Sequence, residues 1–158
     1  MSVEEWALVA SVVFSGLWSG LLAMLVLILH RVMVPMSGPE FARFLQRFLP
    51  AAEIPFNYIE VIGLVVAPVV ALIALADDTA GAAFVLTAVG LALTIAGPLL
   101  VSNRLAEPNY KVIRAWDPDA MPPDWEGPRR RYFALNWIRA VMTWAAFGLF
   151  LAALVEVF

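Results

Sequence analysis

The stretch Trp6-Ala-Leu-Val-Ala-Ser-Val-Val-Phe-Ser-Gly-Leu-Trp-Ser-Gly-Leu-Leu-Ala-Met-Leu-Val-Leu-Ile-Leu29 carries no charged side chain. At about 1.5 Å per residue it is long enough to cross a hydrocarbon layer about 30 Å thick. A cleaved signal peptide would open on basic residues and hold a shorter apolar run of roughly 7–15, but Glu4 and Glu5 come first here, so the segment is expected to be retained. The rest of the chain agrees with a bilayer as its solvent. Of 158 residues, 63% are hydrophobic and only 15% charged, against about 45–50% and about 25% in ordinary soluble domains. A water-soluble fold of this size would leave much of that apolar content facing water. The absence of cysteine excludes disulfides, thiolate metal sites and cysteine nucleophiles, and the single histidine, His30, excludes a multi-histidine metal centre. No metal site is therefore expected. A net charge of −3 argues against a nucleic-acid partner.

Three further spans follow: Ile54 to Ala76, interrupted by Glu60 and bent near Pro68; about Ala82 to Ser102; and about Tyr132 to Val155, with Arg139 inside it. Asp77-Asp78-Thr79 makes a tight turn between the second and third spans, whereas the other two connections are long. Every basic residue (Arg31, Arg43, Arg47, Arg104, Lys111, Arg114, Arg129, Arg130, Arg131 and Arg139) falls at the end that carries the long connections. The other end offers Glu4, Glu5, Asp77, Asp78 and Glu156. Under the positive-inside rule the long connections are cytoplasmic and both termini extracytoplasmic, with a bacterial inner membrane as the default location. The expected fold is all-α: a single integral membrane domain, 1–158, forming a four-helix bundle. An amphipathic interfacial helix follows span one, and a long Pro/Trp-rich cytoplasmic connection precedes span four.

The first long connection opens with Ser37-Gly-Pro39-Glu40, the spacing of a capping box. Phe41, Phe44, Leu45, Phe48 and Leu49 then recur at helical intervals, with Arg43, Gln46 and Arg47 on the opposite face. Such a helix is expected to lie along the membrane surface, as an anchor between spans or as a lid for an apolar ligand. In the second connection, Pro108-Asn109 suggests a helix start and Val112, Ile113 and Trp116 a short apolar face. The prolines after Asp117 forbid regular structure, and Trp116 and Trp125 mark either an interfacial anchor or a cover.

Polar groups cluster at the same depth. Glu60 and Arg139 each lie about 10 Å into a span from its basic end at about 1.5 Å per residue, and a charge in lipid needs a partner, so an ion pair between spans two and four is expected. Asn57 shares a helix face with Glu60, and Asn136 shares one with Arg139. His30 and Asn103 close spans one and three. Each of the four helices thus brings a polar group to one mouth of the bundle, which reads either as a pocket or as a hydrogen-bonded stitch. In span one, Ser11, Ser15, Ser19 and Ala23 recur every four residues beside Gly16-x-x-x-Gly20. Small residues so spaced let another helix approach closely. Gly63 and Ala67, or Gly90 and Gly97, are the matching surfaces expected within the bundle; a homodimer is the alternative use.

The run from Glu107 to Trp125 (Glu107-Pro108-Asn109, Trp116, then Pro122-Pro-Asp124-Trp125), followed by Arg129-Arg130-Arg131-Tyr132 and Asn136-Trp-Ile-Arg139, resembles the DUF1772, or anthrone oxygenase-like, family of small four-helix membrane proteins. Ser15-Gly16-Leu17-Trp18-Ser19-Gly20, Val34-Pro35-Met36 and the Phe41 to Phe48 helix resemble that family's opening, so the likeness covers nearly the whole chain. It implies a four-helix fold. It also implies, for some fungal members, oxidation of an anthrone to an anthraquinone by dioxygen without an established conventional cofactor. The matching positions are Asn109, Trp116, Trp125, Arg131, Asn136 and Arg139. The sequence departs from the pattern at Tyr132, where tryptophan is frequent, and at Asn136, where histidine also occurs.

Two functional readings follow. In the first, an enzyme acts without a cofactor on a flat, apolar, phenolic or quinone-like molecule. Glu60 or His30 removes a carbon-bound proton, Arg139 and the asparagines Asn57, Asn103, Asn109 and Asn136 steady the oxyanion, and Trp116 or Trp125 stacks on the rings beside Arg131. In the second, a non-catalytic membrane subunit or small-ligand binder uses its polar cluster only to hold four helices together.

Overall fold

The computed structural model describes residues 1–53 and 55–158, without the Phe56 side chain. Ile54, where the sequence begins the second span, lies outside the described residues. Among them are five helices: α1 (Val3–Met33), α2 (Gly38–Ala52), α3 (Pro55–Ala74), α4 (Ala82–Arg114) and α5 (Glu126–Val157). Four of these are long and apolar enough to cross a membrane. Large apolar side chains such as Val13, Leu17, Ile62, Ile73 and Val141 face outward along them. The protein is a multi-pass membrane protein with an all-α bundle fold.

Three spans differ from their expected limits for local reasons. α1 continues past Leu29 through His30 to Met33, and α4 runs without a break into Glu107–Arg114, the segment expected to be a separate helix. α5 starts at Glu126, six residues before Tyr132, because Gly127 and Pro128 fall in its first turn, where a missing N–H is tolerated. The irregular part of the second connection shrinks to residues 115–125, the proline-rich portion. Pro68 lies inside α3, which remains helical on both sides of it. The acidic turn forms as read: a short 3₁₀ segment Ala76–Asp78 leads into Gly81, where a Cβ would fall 2.6 Å from the Asp78 carboxylate.

α1 packs against α3 and α5, and α4 packs against the same two, so α3 and α5 stand on one diagonal of a square. Small and hydroxylated residues line the interior. Ser11, Ser15, Thr87, Thr94 and Thr143 are buried, and each hydroxyl donates to the backbone carbonyl four residues earlier. Gly90 lies against the Phe150 ring, with room for no Cβ. Gly16 faces Phe147 of α5, but nothing stands within 4 Å of a Cβ built at Gly20, so only half of the Gly16-x-x-x-Gly20 pair serves packing within the chain.

The largest apolar core sits at the basic end. Met33 of α1, Phe41, Ala42 and Leu45 of α2, Ile113 of α4, Trp116 of the connection and Tyr132 of α5 form one buried cluster. α2 is the amphipathic helix expected after span one, and its apolar face packs on this cluster. Trp116 likewise belongs to the interior, as a cover. At the start of α2, the Glu40 carboxylate accepts hydrogen bonds from the Ser37 hydroxyl and backbone N–H, both at 2.7 Å, which hold it below the usual carboxylate range. Arg129 fastens the whole assembly. Its guanidinium donates to the carbonyls of Met33, Val34 and Met36 at 3.1, 2.6 and 2.9 Å, capping the end of α1 from α5. The rings of Phe41, Trp125 and Phe133 surround it at 5.2 to 5.8 Å.

Candidate functional site

Covering the basic end with α2 leaves a cavity of about 360 Å³ between α1, α2, the start of α3, the end of α4, and α5. That lies within the range of about 300–1,000 Å³ typical of small-molecule pockets. Its walls are mostly apolar: Leu22, Leu25 and Leu29 from α1, and Phe48 and Leu49 from α2. Leu21 and Met24 also line it while remaining 47% exposed on the outer surface of α1.

Helical register helps to shape it. Met24–Leu29 and Ile95–Ala106 are π-helical: the His30 N–H donates to the Leu25 carbonyl and the Glu107 N–H to the Ser102 carbonyl, five residues back. In the second stretch Pro98 has no N–H to give, and a widened turn accommodates the loss. Such stretches recur at functional sites. Here both run toward the cavity, the first supplying Met24, Leu25 and Leu29 and the second ending at Glu107.

The polar groups stand together. Arg139 Nη1 donates to the Tyr110 hydroxyl at 3.0 Å and to Asn136 Oδ1 at 3.2 Å, and the Tyr110 hydroxyl donates to the same Oδ1 at 3.1 Å. Because guanidinium can only donate, the oxygen of Asn136 must face it, which turns Nδ2 away. Asn136 Nδ2 and Arg139 Nε are buried with no partner. The cluster therefore holds a surplus of donors. At the mouth, Glu53 from the end of α2 pairs with Arg114 from the end of α4 at 3.2 Å. Asn57 also lines the cavity and donates to the Ala52 carbonyl.

Of the residues singled out from sequence, the fold thus gathers Arg139, Asn136 and Asn57. The ion pair between Glu60 and Arg139 does not form. Glu60 is fully buried, yet neither carboxylate oxygen has a hydrogen-bond partner, and Arg139 bonds to Tyr110 and Asn136 instead. α3 and α5 are diagonal neighbours in the bundle. His30 is buried against Phe133, Tyr132 and Trp137, with ring centroids 4.6, 6.0 and 6.5 Å away, and it does not line the cavity. Asn103 and Arg131 are exposed. Asn109 is buried and donates to the Pro128 carbonyl at 2.9 Å, tying the end of α4 to the start of α5. Trp116 and Trp125 pack beneath α2.

The sequence reading missed Tyr110 and Glu107 as site residues. The available signal was their spacing of three, which puts both on one helix face once α4 is known to continue through them. Comparison of the chain with family models, curated proteins and solved structures finds no match.

Proposed function

We propose that this protein binds a flat, apolar molecule bearing phenolic or quinone-like oxygens, which enters from the lipid and lodges with an oxygen toward Arg139 and Tyr110. The observation that carries this reading is an otherwise apolar cavity with Tyr110 and Arg139 in its wall, Arg139 being a donor-only group with no carboxylate partner among the described residues. A charged donor in a low-dielectric setting favours an acceptor-rich ligand. The resemblance to the anthrone oxygenase-like family suggests the same class of ligand. The positive-inside rule puts the basic end, and with it the cavity, on the cytoplasmic side, a bacterial inner membrane being the default location. A role confined to stitching helices is less favoured, since a stitch needs no cavity of this size beside Arg139.

The test is a titration of the protein in lipid nanodiscs with 1,8-dihydroxyanthraquinone, read by quenching of tryptophan fluorescence; Trp18 lines the cavity. Saturable quenching near one equivalent is expected. Arg139→Leu should weaken binding about 10- to 100-fold, the equivalent of a hydrogen bond to a charged group worth about 1.5–3 kcal/mol. Tyr110→Phe, a milder change, should weaken it less. Quenching that rises linearly, as in empty nanodiscs, would refute the proposal.

A further inference from the structure

Packing contacts fix how the four spans are aligned. A Cβ at Gly63 of α3 would fall 2.6 Å from the Phe14 ring of α1, one at Gly16 would fall 3.1 Å from Phe147 of α5, and one at Gly90 of α4 would fall 2.6 Å from Phe150. Counting along antiparallel neighbours from those contacts, Glu60 stands level with Leu17 of α1, Ala146 of α5 and Thr94 of α4. Leu17 is close to the midpoint of α1, so this is the middle of the bundle. Ser15, Ser19 and Thr143 lie two or three residues from that level, within about 5 Å at about 1.5 Å per residue. Glu60, Ser15, Ser19, Thr94 and Thr143 are all buried. The hydroxyls of Ser15, Thr94 and Thr143 give their hydrogens to carbonyls of their own helices, which leaves them only lone pairs for a neighbour. Neither Glu60 oxygen has a partner among the described residues, and nor does Ser19 Oγ. Trp18 Nε1, one residue from the same level, is also unpartnered and so does not claim the carboxylate. Arg139, a turn from Thr143 toward the basic end, is bonded to Tyr110 and Asn136.

We propose that this layer binds one alkali cation, held by the Glu60 carboxylate and the hydroxyl oxygens of Ser15, Ser19, Thr94 and Thr143. An ionised carboxylate without a counter-charge is costly in a low-dielectric interior, and an ionisable group at mid-membrane marks a functional position. A single positive charge cancels it, whereas a divalent ion would leave an excess charge in the same place. The donor set is all oxygen, which suits a hard cation and not a transition metal. One proton can engage one acceptor, but the layer brings six oxygens from four helices to one level, close to the number a hard cation takes. Asn57, a turn before Glu60 on the same face of α3, lines the cavity, which gives the ion a short route from the basic end. Glu60 itself is not part of the cavity wall, so cation binding here does not depend on what the cavity holds.

The test is thermal unfolding of the protein in detergent micelles, in sodium, potassium or choline chloride at equal ionic strength. An ion that binds only the folded protein raises its Tm by mass action, by about 5–10 °C for a chain of 158 residues at about 100-fold excess over Kd. The wild-type Tm should rise and saturate with at least one of the two alkali salts relative to choline. Glu60→Gln and Glu60→Leu, which remove the charge in different ways, should each unfold at one Tm in all three salts. In choline, where no alkali ion occupies the layer, Glu60→Leu should be more stable than wild type. Thr94→Val keeps the side-chain shape and removes one oxygen, so its half-saturation should move to higher salt. A wild-type Tm equal in all three salts, the behaviour of a carboxyl that only holds a proton, would overturn the proposal. An alkali-specific rise that persists in both Glu60 variants would overturn it too, because the ion would then bind elsewhere.

Discussion

Replacing Glu60 with leucine should make the protein more stable. The carboxyl is fully buried and neither oxygen is hydrogen-bonded, an arrangement that costs about 1–3 kcal/mol by comparison with mutational data. Leucine removes both oxygens without orphaning a donor, since nothing in the structure donates to Glu60. Imperfect shape at the site takes back less than about 1.5 kcal/mol. A net gain of about 1 kcal/mol is expected. Arg139→Leu should do the opposite and cost about 1–3 kcal/mol, because it strips the charged donor from Tyr110 and Asn136. The double variant distinguishes the diagonal arrangement from an ion pair: independent sites add within about 0.5 kcal/mol, whereas breaking a buried pair costs about 3–5 kcal/mol and the two effects do not add. Reversible unfolding in mixed micelles, followed by tryptophan fluorescence, measures all three variants. Loss of stability in Glu60→Leu together with a coupling above about 1 kcal/mol would show that the two groups are partners and refute this account of the bundle.

Arg129→Ala should destabilise the basic end by about 3 kcal/mol, since it removes three charge-assisted bonds to the end of α1, and a drop in Tm is the readout. Arg129→Lys should recover less than half, because an ammonium cannot reproduce the planar fork that reaches several carbonyls at once. Gly90→Ala should cost about 1–3 kcal/mol, as the new methyl would fall 2.6 Å from a Phe150 ring that is wholly buried and cannot yield. Gly20→Ala, with nothing within 4 Å, should instead stabilise by about 0.5–1 kcal/mol through helix propensity; a clear loss there would show that Gly20 packs against a second copy of the chain.

The spans, the acidic turn and the segregation of basic residues are legible in the sequence because each depends on side chains adjacent in the chain. Asn136 and Arg139 were correctly grouped for the same reason, a spacing of three on one helix. Glu60 shows where such reasoning stops: depth along a helix follows from counting residues, but which helices are neighbours does not. α2 is a second instance. Its amphipathic pattern specifies an apolar face without saying whether lipid or protein covers it, and Arg129, nearly a hundred residues from the carbonyls it caps, is among the groups that hold it against protein.

Composition and periodicity by themselves determined that this chain crosses a membrane four times as helices, because backbone hydrogen bonds in lipid must be satisfied within each segment. Tertiary structure alone decided which polar groups meet. The π-helical turns rotate the ends of α1 and α4, the square packing separates Glu60 from Arg139, and α2 closes over the gap, so Tyr110, Glu107 and Arg139 face one cavity. Each of those outcomes depends on how helices rotate and pack against one another, a relation between distant segments that no local pattern of residues encodes.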